Sequence, residues 1–273
     1  MAGGNDVFDM TGRVALITGG AGGIARAVSE VLGARGAAIA LVDVREPDLD
    51  AAVAELTARG VRAFGAVADI TDEQAVEDLV DRASEALGTV DMLVNNAAIG
   101  VHTAPEHLAA GDWRRVLDVD LTGGFLVARA VGRRLIEHGR GGAVVNLSSI
   151  AGSSALGRGN FAYSVAKGGV NQLTRELAVE WAPCGIRVNA IQPCQVNTAL
   201  FRTLVDTPGP EGPELLAHML RGIPLGRLAE PADIAHAVLF LLSDASAMVT
   251  GAILPVDGGN LSLNAGGSLR AIS

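Results

Sequence analysis

The chain contains one tyrosine and one lysine, and they lie four residues apart, at Tyr163 and Lys167. On a helix that spacing puts both side chains on one face. All the other cationic side chains in the Lys/Arg class are arginines, so abundance does not explain the pair. A free phenol keeps its proton up to about pH 10. A neighbouring ammonium favours the phenolate, which gives an acid/base able to exchange a proton with an alcohol oxygen near neutral pH. Ser148 and Ser149 close the apolar run Val144-Val-Asn-Leu147, with Ser149 14 residues before Tyr163. A hydroxyl there can bond a substrate oxygen and orient it. Residues alternate sides at a strand end, so one of the two serines faces the site. This chemistry needs no metal, and no Cys/His grouping has ligand spacing.

A second cluster suits a dinucleotide. The run Thr18-Gly19-Gly20-Ala21-Gly22-Gly23-Ile24-Ala25 follows an apolar strand and opens a helix. Missing side chains let a pyrophosphate approach the backbone, and the helix start offers free N–H groups and a positive dipole end. Gly19, Ala21, Gly22, Gly23 and Ile24 are the expected contacts. Asp43 and Val44 end the next strand, 24 residues after Gly19 in the case of Asp43. A carboxylate there accepts from ribose hydroxyls and repels a 2′-phosphate, so the expected cofactor is NAD rather than NADP. Arg45 is the counter-argument, since it could pair with that phosphate; its other reading is a solvated surface charge. Lys167 could also hold ribose hydroxyls.

The elements that must position these residues alternate along the chain. Near-continuous apolar strands are expected at 13–18, 38–42, 61–67, 92–94, 143–147, 186–191 and 253–256. Helices are expected at 24–35, 50–58, 72–87, 112–137, 162–182 and 231–243. That pattern reads as α/β: a seven-stranded parallel sheet with helices on both faces, doubly wound in the Rossmann manner. One domain is expected over 11–260, with tails at 1–10 and 261–273. The Gly/Pro-rich stretch Thr207–Pro213 reads as the tip of an excursion, a substrate lid over about 197–226.

In this order and spacing, these residues resemble the short-chain dehydrogenase/reductase family in its single-domain form, from Arg13 to Gly259. The matching pieces are the turn at 18–25, Asp69-Ile70, Asn95-Asn-Ala-Ala98, Ser149, Tyr163-Ser-Val-Ala-Lys167, Pro193 with Thr198, and Val256-Asp-Gly-Gly259. The resemblance implies a secondary alcohol/ketone oxidoreductase. It implies that Asp69 and Ile70 flank the adenine ring. Asn96, Ala97 and Ala98 then line the cofactor within a segment that steadies the sheet. Ile191 to Thr198 meets the nicotinamide carboxamide, with Pro193, Gln195, Val196 and Thr198 as contacts. The match favours Ser149 over Ser148, and the family habit implies a homotetramer.

Four positions depart from the family pattern. Ala25, Ala98 and Cys194 stand where glycines are usual; Cys194 would lie near the nicotinamide or simply fill space. Asp120 stands where the family carries a catalytic asparagine whose backbone carbonyl holds a relay water. A carboxylate there would hold the Lys167 charge more firmly and shift the pH profile. Ser149, Leu156, Asn160, Cys194, Gln195 and Phe201 are the expected substrate contacts, with Leu200 and Leu204 nearby. Their mixed polarity does not name a substrate.

Composition excludes other classes. Hydrophobic residues make up 49% and charged residues 19%, enough for a buried sheet and against disorder. The net charge of −9 with no basic run argues against nucleic acid. Cys184 and Cys194 read as free thiols in a reducing compartment. Met1–Met10 has no basic start and no apolar run, and no stretch has the roughly 20 apolar residues of a span, so a cytoplasmic protein is expected. Two alternatives stay open: an NAD-binding sensor on the same fold, and an NADPH-dependent 3-oxoacyl reductase.

Overall fold

The computed structural model describes residues 6–206 and 210–263. Parts of the two expected tails and of the Gly/Pro-rich tip (1–5, 264–273 and 207–209) lie outside the described residues. Seven strands, β1 (Val14–Thr18), β2 (Ala38–Asp43), β3 (Ala63–Val67), β4 (Met92–Asn95), β5 (Gly142–Leu147), β6 (Ile186–Pro193) and β7 (Ile253–Val256), form one parallel sheet in the order β3-β2-β1-β4-β5-β6-β7. Helices α1 (Gly23–Ala34), α2 (Glu46–Ala58), α3 (Glu73–Leu87), α4 (Ala110–Leu117), α5 (Gly124–Glu137), α6 (Phe161–Trp181), α7 (Ala199–Val205), α8 (Glu211–Arg221) and α9 (Pro231–Leu242) complete the chain.

The central strands β1, β2, β4 and β5 are mostly apolar and buried because both faces are covered, whereas the edge strands β3 and β7 are only partly buried. Ala15 and Ile17 of β1 pack in one cluster with Val28 and Leu32 of α1 and Val238 of α9. Their neighbours Val14 and Leu16 pack in the opposite cluster with Leu79 and Val80 of α3 and Val131 of α5. Each such fully buried side chain contributes roughly 1.5–3 kcal/mol. The strand order reverses direction between β1 and β4, and the crevice at the carboxyl ends of these two strands is where such sheets receive ligands.

Three elements differ from expectation. Helix α2 begins at Glu46 rather than 50, with a proline in its first turn, whose fixed φ suits a helix start. The single helix expected over 112–137 is α4 and α5 joined by a π-helical segment, Asp118–Gly123. Gly123 explains part of this: a Cβ there would sit 2.8 Å from the Ile70 side chain, so only glycine lets the segment come this close. The excursion after β6 is built from α7 and α8. Its base is pinned where Val196 bridges to Ala229, with Asn197 N donating to Ala229 O (2.8 Å) and Ala229 N to Gln195 O (3.0 Å). Among the described residues no helix is long and apolar enough to cross a membrane.

Candidate active site

The turn after β1 requires its glycines. Gly19 has φ +63°, and a Cβ there would lie 3.0 Å from both Ala97 Cα and Asn96 Nδ2. The turn is tied to the end of β4 as well. Asn96 N and Ala97 N donate to Thr18 Oγ1 (2.9 and 3.0 Å), and Asn96 Nδ2 donates to the Thr18 carbonyl (2.9 Å) and the Gly19 carbonyl (3.3 Å). Helix α1 starts at Gly23 with no capping side chain and no acid in its first turn, so its N–H groups remain open to an anion. A Cβ on Gly23 would lie 3.2 Å from the Thr198 methyl, which brings the segment after β6 against the same turn. Ala21 and Gly22 are half-buried beside it, and Ile24 packs at the edge of the core.

Asp43 is buried at the end of β2. Its Oδ2 accepts from Ala21 N (3.1 Å) and its Oδ1 from Arg45 N (3.0 Å). Arg45 forms an ion pair with it at 3.2 Å and with Asp48 at 3.1 Å. Burial works to raise the Asp43 carboxyl, but the Arg45 side chain, Arg45 N and Ala21 N outweigh it and hold the group below the usual carboxylate value. Arg45 is therefore a partner of Asp43 rather than a freely solvated charge. Val44 beside it is exposed. Asp69 caps its own turn, accepting from Thr71 N (2.9 Å) and Thr71 Oγ1 (2.8 Å), and Ile70 is buried against Gly123. Ala97 is half-buried and Ala98 exposed after β4.

Helix α6 carries Tyr163 and Lys167 on one face, with Nζ 5.4 Å from the phenol ring centroid. Lys167 is buried and donates to the Leu147 carbonyl at 2.9 Å. The π-helical segment turns Asp120 inward. Its Oδ1 accepts from Ile99 N (2.7 Å), and its Oδ2 lies 3.4 Å from Lys167 Nζ, close enough to pair but with no aligned hydrogen-bond donor. Burial raises the Asp120 carboxyl above its ordinary value; the Lys167 charge and the Ile99 N–H oppose this only in part. A cavity just large enough for one water is lined here by Asn95, Asp120 and Lys167 among others. Asn95 Oδ1 is a second buried acceptor without a partner among the described residues, while Asn95 Nδ2 donates to Asn146 Oδ1 and the Gly124 carbonyl, each at 3.0 Å.

The two serines after β5 differ in their partners. Ser148 Oγ donates to Asn171 Oδ1 (2.7 Å) and approaches the Lys167 carbonyl (3.2 Å), so it is consumed in fastening β5 to α6. Ser149 Oγ accepts only from Ala151 N (3.1 Å) among the described residues, which leaves its own proton free to donate. The Ser149 backbone is held from β6, where Gln192 Nε2 donates to the Ser149 carbonyl (3.1 Å) and Ser153 Oγ (2.8 Å). Gln192 and Asn171 do not stand out in the sequence, since β6 also carries Arg187 and Asn189.

The expected substrate contacts are less tightly gathered. Leu156 and Asn160 are half-buried on the segment leading into α6, and Asn160 bridges to Thr103. Pro193 and Val196 are buried. Cys194 is half-buried, and burial raises its thiol, so it is not an activated nucleophile. Gln195 has a buried Oε1 without a partner among the described residues. Phe201 is half-buried on α7, whose start is capped by Thr198 Oγ1 accepting from Phe201 N (3.2 Å), whereas Leu200 and Leu204 are exposed.

The Gly-lined turn into an open helix start, the acid ending β2 and the Tyr/Lys pair all lie at the carboxyl edge of the sheet. Residues 19–260 match the family model described as enoyl-(acyl carrier protein) reductase. The chain is 45% identical to the cis-4-hydroxycyclohexanecarboxylate dehydrogenase of Sinomonas cyclohexanicum, over 90% of this chain and 96% of that one. It superposes on the NAD⁺-bound structure of a xylitol dehydrogenase with a TM-score of 0.86 at 33% identity, covering 92% and 99% of the two chains. A protein of Agrobacterium tumefaciens solved with bound NADP gives the same TM-score, 0.86, at 35% identity over 95% and 100%. The chain belongs to the short-chain dehydrogenase/reductase family and is an oxidoreductase of its alcohol dehydrogenase/ketoreductase type.

Proposed function

We propose that this protein oxidises a secondary alcohol to a ketone with NAD, and catalyses the reverse reduction, through Tyr163, Lys167 and Ser149. The observation that carries the reading is the sole tyrosine and sole lysine brought together on one helix face, the lysine fastened to the carbonyl of Leu147, two residues before a serine whose proton is uncommitted. The turn from Gly19 to Ile24 fits a pyrophosphate, since a side chain at Gly19 or Gly23 would fill the cradle. Asp43 is suited to the adenosine ribose, and its lowered carboxyl favours NAD over a 2′-phosphate. Asp69 and Ile70 are suited to the adenine side. Asn96, Ala97 and Ala98 suit the middle of the cofactor, and Pro193 to Thr198 the nicotinamide side. When bound, the dinucleotide supplies the hydride acceptor or donor.

The chain's own groups move the proton. Ser149 donates to the substrate oxygen and fixes it beside Tyr163. Tyr163 in its ionised form takes the hydroxyl proton during oxidation and returns it during reduction. Lys167, anchored at the Leu147 carbonyl, keeps a positive charge beside the phenol. Asp120, 3.4 Å from Nζ, offsets part of that charge. The excursion with α7 and α8 is suited to cover the crevice, and Leu200 and Leu204, one turn apart on α7, are exposed.

The test is NADH formation with a panel of secondary alcohols that includes cis-4-hydroxycyclohexanecarboxylate and xylitol. Tyr163→Phe should lower kcat about 10²- to 10⁴-fold, the usual contribution of a positioned acid/base, while NAD still binds. Turnover by Tyr163→Phe within a few-fold of wild type would overturn the assignment. Tight NAD binding with no turnover on any alcohol would favour a sensor.

A further inference from the structure

Arginines in this chain are, with few exceptions, spoken for. Among the described residues, Arg82, Arg114, Arg115, Arg140 and Arg158 have no side-chain hydrogen bond or ion pair; the first four are exposed, and Arg82 lies over the Phe64 ring. Arg158 alone of these is half-buried. Its guanidinium is drawn below its ordinary range by burial, and no carboxylate opposes the effect. Withdrawing a cation from water without an anion beside it is costly, and such uncompensated groups concentrate where a ligand completes them.

The position of Arg158 fits that role. It lies nine residues after Ser149 and five before Tyr163, on the segment that joins the two. Its backbone is anchored on both sides. Gly157 and Gly159 have φ of +63° and +72°, the left-handed turns that glycine supplies. Thr103 N donates to the Gly159 carbonyl at 2.8 Å, Thr103 bridges to Asn160, and the Arg158 carbonyl lies 3.4 Å from His102 Nδ1. The side chain therefore starts from a fixed point at the sheet's carboxyl edge. Two loop residues and the first turn of α6 separate Arg158 from Tyr163, so their α-carbons are at most about 16 Å apart. Both side chains are long, and one small molecule can reach both.

We infer that Arg158 receives the carboxylate of a hydroxy-acid substrate whose secondary hydroxyl is held at Ser149 and Tyr163. The planar guanidinium matches a carboxylate with two parallel hydrogen bonds. The net charge of −9 repels anions at long range, so an acidic substrate needs a dedicated cation at the site. Arg202 does not offer one, because Asn197 and Asp206 already engage it. The inference rests on the dehydrogenase reading above and adds the class of substrate to it.

The experiment compares cis-4-hydroxycyclohexanecarboxylate, its primary amide and xylitol as substrates of the NAD-loaded protein. Wild type should prefer the acid to the amide. Arg158→Ala should lower the acid-to-amide ratio of kcat/KM about ten- to a hundredfold, mainly through KM, the worth of a charged hydrogen-bonded pair. Arg158→Lys should retain part of the preference. An unchanged ratio in Arg158→Ala, or a wild type indifferent to the carboxylate, would overturn the inference. So would an unchanged ratio with an altered oligomeric state, which would assign Arg158 to a subunit contact. If wild type oxidises xylitol and not the acid, only the hydroxy-acid inference falls; if it forms NADH from no alcohol, the dehydrogenase reading falls with it.

Discussion

Replacing Asp120 by asparagine tests how the proton chemistry is tuned. The carboxylate lies 3.4 Å from Lys167 Nζ, which lies 5.4 Å from the Tyr163 ring centroid, so the anion stands within about 9 Å of the ring. At an effective dielectric of about 20, a unit charge at that distance contributes roughly 2 kcal/mol. Tyr163 is half-buried, so solvent screening trims the effect further. The sign follows from charge: an anion disfavours a second anion on the phenol, so its removal should move the ascending limb of kcat/KM for alcohol oxidation to lower pH. The Asp120 carboxyl is raised by burial against the pull of Lys167. At low pH it is neutral, like the asparagine, so the two profiles should converge at the acid end and separate as pH rises through its titration. The amide oxygen of the introduced asparagine would keep the bond that Ile99 N donates to Asp120 Oδ1, so the fold should survive; unfolding and NAD titrations check this. The assay is the full pH–rate profile of both proteins at constant ionic strength. Superimposable profiles, or a variant displaced to higher pH, would refute the reasoning.

Asp43→Asn should raise the NADP-to-NAD ratio of kcat/KM about ten- to a hundredfold, because it removes a repelling carboxylate and releases Arg45 toward a 2′-phosphate; the ratio with the two cofactors measures it. Gly19→Ala should weaken NAD binding and lower the unfolding midpoint, since a φ of +63° costs a side chain roughly 1–2 kcal/mol and the methyl would press on Ala97; calorimetric titration and thermal melting read both.

Much of the architecture was legible because it is written locally. Apolar runs bounded by glycine marked all seven strands, and the spacing of Tyr163 and Lys167 needed only one helix to bring them together. What escaped depends on residues far apart in the chain. Nothing local says that Asn95 will donate to Asn146, 51 residues on, or that Gln192 will hold the Ser149 carbonyl from 43 residues away. Ser148 and Ser149 look alike locally and only the family resemblance favours Ser149; in the structure Asn171 on α6 engages Ser148. Arg45 reads from sequence as a 2′-phosphate partner or a solvated charge, and its ion pair with Asp43, two residues away, shows only in the structure. The π-helical segment was invisible because Asp118–Gly123 continues the helical pattern on either side, and the inward turn of Asp120 depends on Ile99 and Lys167 in other elements.

The pinned base of the excursion has an engineering consequence. Because Val196 and Ala229 are paired at its neck, the sheet sees the two ends of α7 and α8 as one short closed loop. What lies between can be exchanged as a cassette, with another length or polarity, while the strands that hold Ser149 and the helix that holds Tyr163 keep their places. A library confined to 199–221, sparing Thr198 beside Gly23 and the ties of Gly222 and Leu225 to Asn260 and Gly258, would test whether this segment sets the choice of alcohol.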